Sequence, residues 1–123
     1  MSRVVIIDDD VDTCELFGFI LTEAQHDARF ATDGRAGLDL VFEVSPDVVI
    51  VDIFMPHMDG LRVIEEIRRN RPAMKIIAMS AGMSTTGTTG LLDLAPAFGA
   101  DATLRKPIIP HVLEETVRRL TAA

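Results

Sequence analysis

Short β-branched runs alternating with stretches of helical period constrain this chain more than any other feature. Val4–Ile7, Val48–Val51 and Lys75–Met79 are continuous apolar runs of the kind that a parallel sheet buries on both faces. Weaker strand candidates lie at Ala28–Thr32 and Ala102–Arg105. Between them the period becomes helical. Leu16, Phe17, Ile20, Leu21 and Ala24 form one stripe, opened by Asp12 with Glu15 three residues on, a spacing that satisfies free helix N–H groups. Leu38, Val41 and Val44 form a second stripe. Leu61, Ile64 and Ile67 form a third, with Glu65 and Arg69 placed to pair outside. Leu113, Val117 and Leu120 form the last, with Pro110 in its first turn. A short fourth helix bears Leu91, Leu92, Ala95 and Phe98, and Pro96 should kink or shorten it. Alternating strands and helices imply βαβ units, right-handed crossovers and a parallel sheet covered on both sides. A doubly wound α/β domain with a five-stranded parallel sheet and five helices is the natural closure.

The chain has 123 residues, enough for one domain with a core that needs no staples. Nineteen acids against twelve bases give a net charge of −7, which argues against direct binding to nucleic acid or to an anionic membrane. One cysteine, Cys14, excludes an internal disulfide and a thiolate zinc cage, and its place beside the first stripe reads as a small hydrophobe. No apolar run approaches the roughly 20 residues of a membrane span. The stretch before Val4 is too short for a signal peptide, so a cytoplasmic location is expected. There are no internal repeats and no interdomain linker.

In doubly wound sheets, ligands bind beyond the carboxyl ends of the strands. Here the first strand ends in Asp8-Asp9-Asp10, the third in Asp52, the fourth in Ser80, and the fifth runs into Arg105-Lys106-Pro107. Asp8, Asp9 and Asp52 should converge at one edge, with Ser80 and Lys106 beside them. Two carboxylates about 4 Å apart repel by several kcal/mol at an effective dielectric of about 20. Such a cluster holds a proton or binds a cation, and Mg²⁺ suits an open carboxylate site. Asp10 and Asp12 read as solvated residues or helix caps, and His26, His57 and His111 are too far apart in sequence to suggest a metal set. A calcium loop starting at Asp8 fails, with Thr13 where glycine is needed and Phe19 where glutamate is needed. Gly87-Thr88-Thr89-Gly90 lacks a phosphate-loop lysine. A dehalogenase-like phosphatase, which also opens on a strand ending in aspartates, would need a cap that this length does not offer.

The ordered set Val4-Val5-Ile6-Ile7-Asp8-Asp9, Pro46-Asp47-Val48-Val49-Ile50-Val51-Asp52, Met55-Pro56-His57-Met58-Asp59-Gly60, Ser80-Ala81, Gly99-Ala100 and Lys106-Pro107 resembles the receiver domains of two-component response regulators. The likeness, which spans nearly the whole chain, extends to the stand-alone, chemotaxis-regulator-like type. It implies a flavodoxin-like sheet of order 2-1-3-4-5. It also implies a single receiver domain over residues 1–123, without an output domain, since the chain stops three residues past Leu120. Asp52 would be the phosphoacceptor, attacking a phosphohistidine or a small phosphodonor. Asp9, Asp52 and the backbone carbonyl of Phe54 would ligate Mg²⁺, with Asp8 acting through water. Ser80, Ala81 and Lys106 would receive the phosphoryl group, and Lys106-Pro107 would be a cis peptide. The implied partners are a histidine kinase or histidine phosphotransferase and a downstream protein, with a homodimer on phosphorylation as a further option. Such a protein is a signalling phosphoacceptor rather than an enzyme acting on a separate substrate. A phosphorelay shuttle fits the same residues. A pseudo-receiver, keeping only the fold, is the rival, and the complete acid set, Ser80 and Lys106 weigh against it.

The chain departs from the family pattern in places. Thr103 stands where an aromatic switch is usual on the fifth strand, so the relay to a signalling face at Thr103 and Pro107 is altered. The stretch from Ser80 to Gly99 is about four residues longer than usual, an insertion that a loop tolerates cheaply. Phosphorylation would order that Gly-rich loop by drawing the Ser80 hydroxyl inward. Phe54 and Gly82 fall where the family tunes access of hydrolytic water, and a bulky Phe54 should shield the acyl phosphate.

Overall fold

A computed structural model describes residues 2–55, 58–80 and 91–122, apart from the side chains of Leu91 and Leu92. The expectations placed on His57, Ala81, Gly82 and the loop at 81–90 lie outside those residues. Strands β1 (Arg3–Ile7), β2 (Asp27–Ala31), β3 (Val48–Asp52), β4 (Lys75–Ser80) and β5 (Ala102–Arg105) form one parallel sheet of order β2-β1-β3-β4-β5. Helices α1 (Val11–Glu23), α2 (Gly34–Val44), α3 (Gly60–Asn70), α4 (Ala95–Phe98) and α5 (Pro110–Thr121) cover its two faces. The expected flavodoxin-like architecture is therefore present.

The pleat explains why the runs are apolar throughout. Val4, Ile6, Val48, Ile50, Ile77 and Met79 face α1 and α5, packing on Cys14, Phe17, Leu21, Leu113 and Val117. The alternate residues Val5, Ile7, Val49, Val51, Ile76 and Ala78 face α2 and α3, packing on Leu38, Val41, Val63, Ile64 and Ile67. The sheet is thus the shared floor of two cores, and a polar residue at any of these positions would lie buried. Ile6, Ile50 and Ile77 are fully buried, each contributing about 1.5–3 kcal/mol relative to exposure. Among the described residues, no helix is long and apolar enough to cross a membrane.

Helix starts follow a common device, with one correction to the sequence reading. Asp10, not Asp12, caps α1: its carboxylate accepts from the Asp12 N–H and the Thr13 hydroxyl. The helix begins two residues earlier than a cap at Asp12 implied, because Asp10, three residues past the end of β1, has the extended backbone conformation of a cap. Asp33 and Asp59 cap α2 and α3 in the same way, accepting from Ala36 N–H and Arg62 N–H. On α3, Arg69 pairs with Glu66 at 3.1 Å more closely than with Glu65 at 4.0 Å. Pro110 occupies the first turn of α5, where it displaces no hydrogen bond. The fourth helix shortens as expected, but not through an interior kink. Leu91–Leu94 is a 3-10 turn, and Pro96 lies in the first turn of the four-residue α4.

Gly60 matters for position. A Cβ there would come within 2.2 Å of the Asp52 carbonyl oxygen and 2.4 Å of Ile53 Cα. The start of α3 therefore presses on the end of β3, and the Gly60 N–H donates to the Ile53 carbonyl at 3.2 Å.

Candidate functional site

The sheet delivers its strand ends to one edge, and the chemistry gathers there. Asp8 follows β1 and is fully buried; Asp52 closes β3 and is 5% exposed. Asp9 beside them is exposed. One carboxylate oxygen from each of Asp8, Asp9 and Asp52 lies within 4.8 Å of the others. Lys106, directly after β5 and joined to Pro107 by a cis peptide, donates from Nζ to Asp8 Oδ2 at 2.8 Å and to Asp52 Oδ2 at 3.2 Å.

The two buried carboxylates are held alike. Asp8 Oδ1 accepts from the Asp10 N–H and Asp52 Oδ1 from the Phe54 N–H, both at 2.9 Å. Each acid thus has one oxygen fixed by the backbone two residues on and the other on the ammonium. Ser80, buried at the end of β4, belongs to the same edge, and its carbonyl accepts from the Lys106 N–H at 2.7 Å. The parallel ladder between β4 and β5 accounts for this, pairing Ser80 with Arg105 and carrying Lys106 one step beyond.

Three carboxylates against one ammonium leave the cluster net negative. Burial pushes the Asp52 carboxyl above its usual range; the Asp8 charge adds to the rise, while the Phe54 N–H and Lys106 oppose it. Burial alone would lower the Lys106 ammonium, but its hydrogen bond to Asp8 and the charges of Asp52 and Asp8 hold it above its ordinary value. Asp10 stands apart: exposed, and lowered by its hydrogen bond from Thr13 despite some desolvation, it works as a helix cap. An open set of oxygen donors that its own lysine cannot neutralise suits a hard divalent cation such as Mg²⁺.

Phe54 lies two residues past Asp52 with 52% of its surface exposed. Thr103 is exposed on β5, opposite Ala78 and hence on the α3 and α4 face of the sheet; Pro107 is exposed beyond the strand. The two described histidines stay out of the acid cluster, and His26 accepts from the Ser2 N–H near the start of β1. Two residues near the site have no structural role assigned to them in sequence. Gly60 reads only as the end of the receiver-like motif Met55–Gly60, and Cys14 only as a small hydrophobe. Cys14 donates its thiol to the Asp8 carbonyl at 3.3 Å, and burial next to Asp8 pushes that thiol up to about 12.

Comparison with known proteins agrees with this geometry. The family model for the response regulator receiver domain matches residues 4–118. Response regulator MprA of Mycolicibacterium vanbaalenii is 33% identical over 120 residues, covering 98% of this chain and 49% of that protein. The chain therefore spans about half the length of that relative. Among solved structures, chemotaxis protein CheY4 of Vibrio cholerae superposes with a TM-score of 0.87 at 26% identity, covering 98% of both chains. NtrX of Brucella abortus, crystallised with ADP, superposes with a TM-score of 0.87 at 26% identity, covering 98% of this chain and 27% of that one. The chain belongs to the response regulator receiver domain family.

Proposed function

We propose that this domain accepts a phosphoryl group on Asp52 from a histidine kinase or histidine phosphotransferase and signals through protein contacts. The observation that carries the reading is the buried Asp52 carboxylate, shared with Asp8 by the Lys106 ammonium and lying within 4.8 Å of the Asp8 and Asp9 carboxylates. In the step, an Asp52 oxygen forms a bond to phosphorus, the phosphorus–nitrogen bond to the donor imidazole breaks with its electron pair going to nitrogen, and the ring leaves as neutral imidazole by taking a proton from solvent. The chain has no acid–base work to do on the acceptor, which is already a carboxylate; its task is placement and charge. Asp9, Asp52 and the Phe54 carbonyl would hold Mg²⁺, with Asp8 acting through water. The ion would supply positive charge to the transferring oxygens. Lys106, free to leave its shared position, would pair with the added charge, and the Ser80 hydroxyl and Ala81 would receive a phosphoryl oxygen. Phe54 and Gly82 would govern entry of water, and hence the lifetime of the acyl phosphate.

Residues 1–123 would act as one receiver domain, with the signal leaving by the face around Thr103 and Pro107. Passing the group on to a second histidine protein, as a relay shuttle, uses the same chemistry. Intact mass after incubation with Mg²⁺ and a small phosphodonor is the test, beside Asp52→Asn. One added phosphoryl group, absent in the variant and abolished by chelator, is expected. No gain in folded protein with Mg²⁺ present would overturn the proposal in favour of a pseudo-receiver that works by contacts alone.

A further inference from the structure

The sheet ends at β2, which β1 pairs on one side only. Successive residues of a strand turn their N–H and C=O groups to opposite edges, and an edge strand leaves one such set outside any ladder. Here the Asp27 N–H donates to the Ser2 carbonyl at 2.9 Å and the Ala31 carbonyl accepts from the Asp8 N–H at 3.2 Å, both toward β1. Asp27, Arg29 and Ala31 therefore use the inner edge, and Ala28 and Phe30 turn their backbone groups outward. The side chains alternate by face as well. Arg29 and Ala31 stand in register with Val5 and Ile7 on the α2 face, and Ala28 and Phe30 with Val4 and Ile6 on the α1 face. Phe30 is 42% exposed there.

On the α2 face, a groove of about 430 Å³ lies between this edge and α2. Ala31, Ala36 and Leu40 give it apolar walls, and Asp39 and Glu43, one turn apart on α2, line it with carboxylates. Neither acid is ion-paired among the described residues. Arg29, the cation on this face of the strand, is engaged with Asp27 at 3.8 Å.

We infer that the open edge of β2 docks an extended segment of a partner protein in which basic and apolar residues alternate, added to the sheet as a sixth strand. The outward N–H and C=O groups of Ala28 and Phe30 would supply the ladder, which gives affinity without regard to sequence. Side-chain alternation supplies the specificity. Every second residue of the added strand would lie over the groove, where a Lys or Arg stem covers Ala31 and Leu40 and its head reaches Asp39 or Glu43. The residues between would lie on the α1 face, about 5 Å from Phe30 across the strands, where an apolar side chain covers the exposed ring. Charge argues against a second copy of this chain as the occupant. Pairing two β2 edges would set two Asp39–Glu43 walls along one interface, in a chain of net charge −7. The docking makes no use of Asp52 and stands apart from the phosphoacceptor role.

NMR on the isotopically labelled whole chain tests this with two end-capped peptides, Lys-Val-Lys-Val-Lys and Glu-Val-Glu-Val-Glu. The basic peptide should shift the amides of Ala36–Glu43 saturably, with a Kd below about 1 mM at low salt. It should also slow exchange of the Ala28 and Phe30 amides at least fivefold and leave Arg29, already bonded inward, unchanged. The same peptide methylated on every backbone nitrogen keeps its charge but should lose that protection. Asp39→Lys combined with Glu43→Lys, both at exposed positions, should weaken the basic peptide at least tenfold and let the acidic one bind. The inference is overturned if the basic peptide gives no saturable shifts up to about 2 mM, or if the charge-reversed chain binds it equally well. It is also overturned if binding leaves Ala28 and Phe30 unprotected, which would mean charge attraction to α2 without an added strand. Slow exchange of both amides in the free chain would refute it too: by self-pairing if the protection grows with protein concentration, and by an edge already closed if it does not.

Discussion

Asp52→Asn should stabilise the metal-free protein at neutral pH, although it removes a partner of Lys106. At an effective dielectric of about 20, attraction to the Lys106 ammonium at 3.2 Å is worth about 5 kcal/mol. Repulsion from the Asp8 and Asp9 carboxylates, each within 4.8 Å, is at least about 3.5 kcal/mol apiece before solvent weakens the exposed Asp9 term. Attraction and repulsion nearly cancel, and burial of Asp52 tips the balance against its charge. Asparagine keeps the oxygen that accepts the Phe54 N–H and leaves Lys106 bonded to Asp8. The expected gain is about 1–2 kcal/mol, or roughly 3–6 °C in Tm for a chain of this size. The pH dependence has a definite sign. Because the folded-state carboxyl of Asp52 is raised, its proton is favoured in the fold, so stability is lost as pH rises through that value. The gap between variant and wild type should therefore be open at pH 7 and close on acidification toward pH 4, the range of an ordinary aspartate. Mg²⁺ should narrow it from the other side, since saturating ion would stabilise the wild type by mass action and the variant would lack one of the proposed ligands. Thermal melts with chelator and with excess Mg²⁺, at pH 7 and pH 4, provide the check. A variant Tm equal to or below wild type at pH 7 with chelator would refute the reasoning.

Removing the cation should have the opposite effect. Lys106→Met leaves Asp8 and Asp52 buried and facing one another, which should cost about 3–5 kcal/mol in urea unfolding with chelator, and added Mg²⁺ should recover part of it; an unchanged midpoint would contradict the pairing. Phe54→Asn should shorten the lifetime of the phosphorylated form several-fold when decay is followed by intact mass, because a half-exposed apolar ring beside the acceptor is replaced by a group that orders water; equal decay rates would end the shielding idea. Cys14, with its thiol raised from about 9 to about 12, should alkylate more than 100-fold more slowly in folded than in urea-unfolded protein at pH 8. Its contribution to stability should be complete below about pH 9 and fall away as pH rises toward 12. Labelling at the unfolded rate would show that the thiol is accessible.

The architecture was legible in the sequence because the sheet is shared by two cores. Val4–Ile7 and Val48–Val51 must be apolar on both faces, and that leaves an unbroken β-branched run which few other settings require. The acids, Ser80 and Lys106 were legible for a related reason. A parallel sheet sends every strand's C-terminal end to one edge, so residues separated by as many as 98 positions can be assigned to one cluster from strand boundaries alone. Order and distance were another matter. Nothing in the local pattern says that Asp10 rather than Asp12 caps α1, since both lie within reach of the helix start and the backbone geometry of the strand exit chooses between them. Nor does it show that Lys106 divides itself between Asp8 and Asp52, that Gly60 must lack a side chain because Asp52 and Ile53 press on it, or that Arg68 gathers three carbonyls from two separate segments. Periodicity and turn chemistry are properties of neighbours along the chain, and composition fixed the fold class through them. The sharing of a cation, the room left for a Cβ and the filling of the Arg68 fork depend on atoms that only tertiary packing brings within a few ångströms.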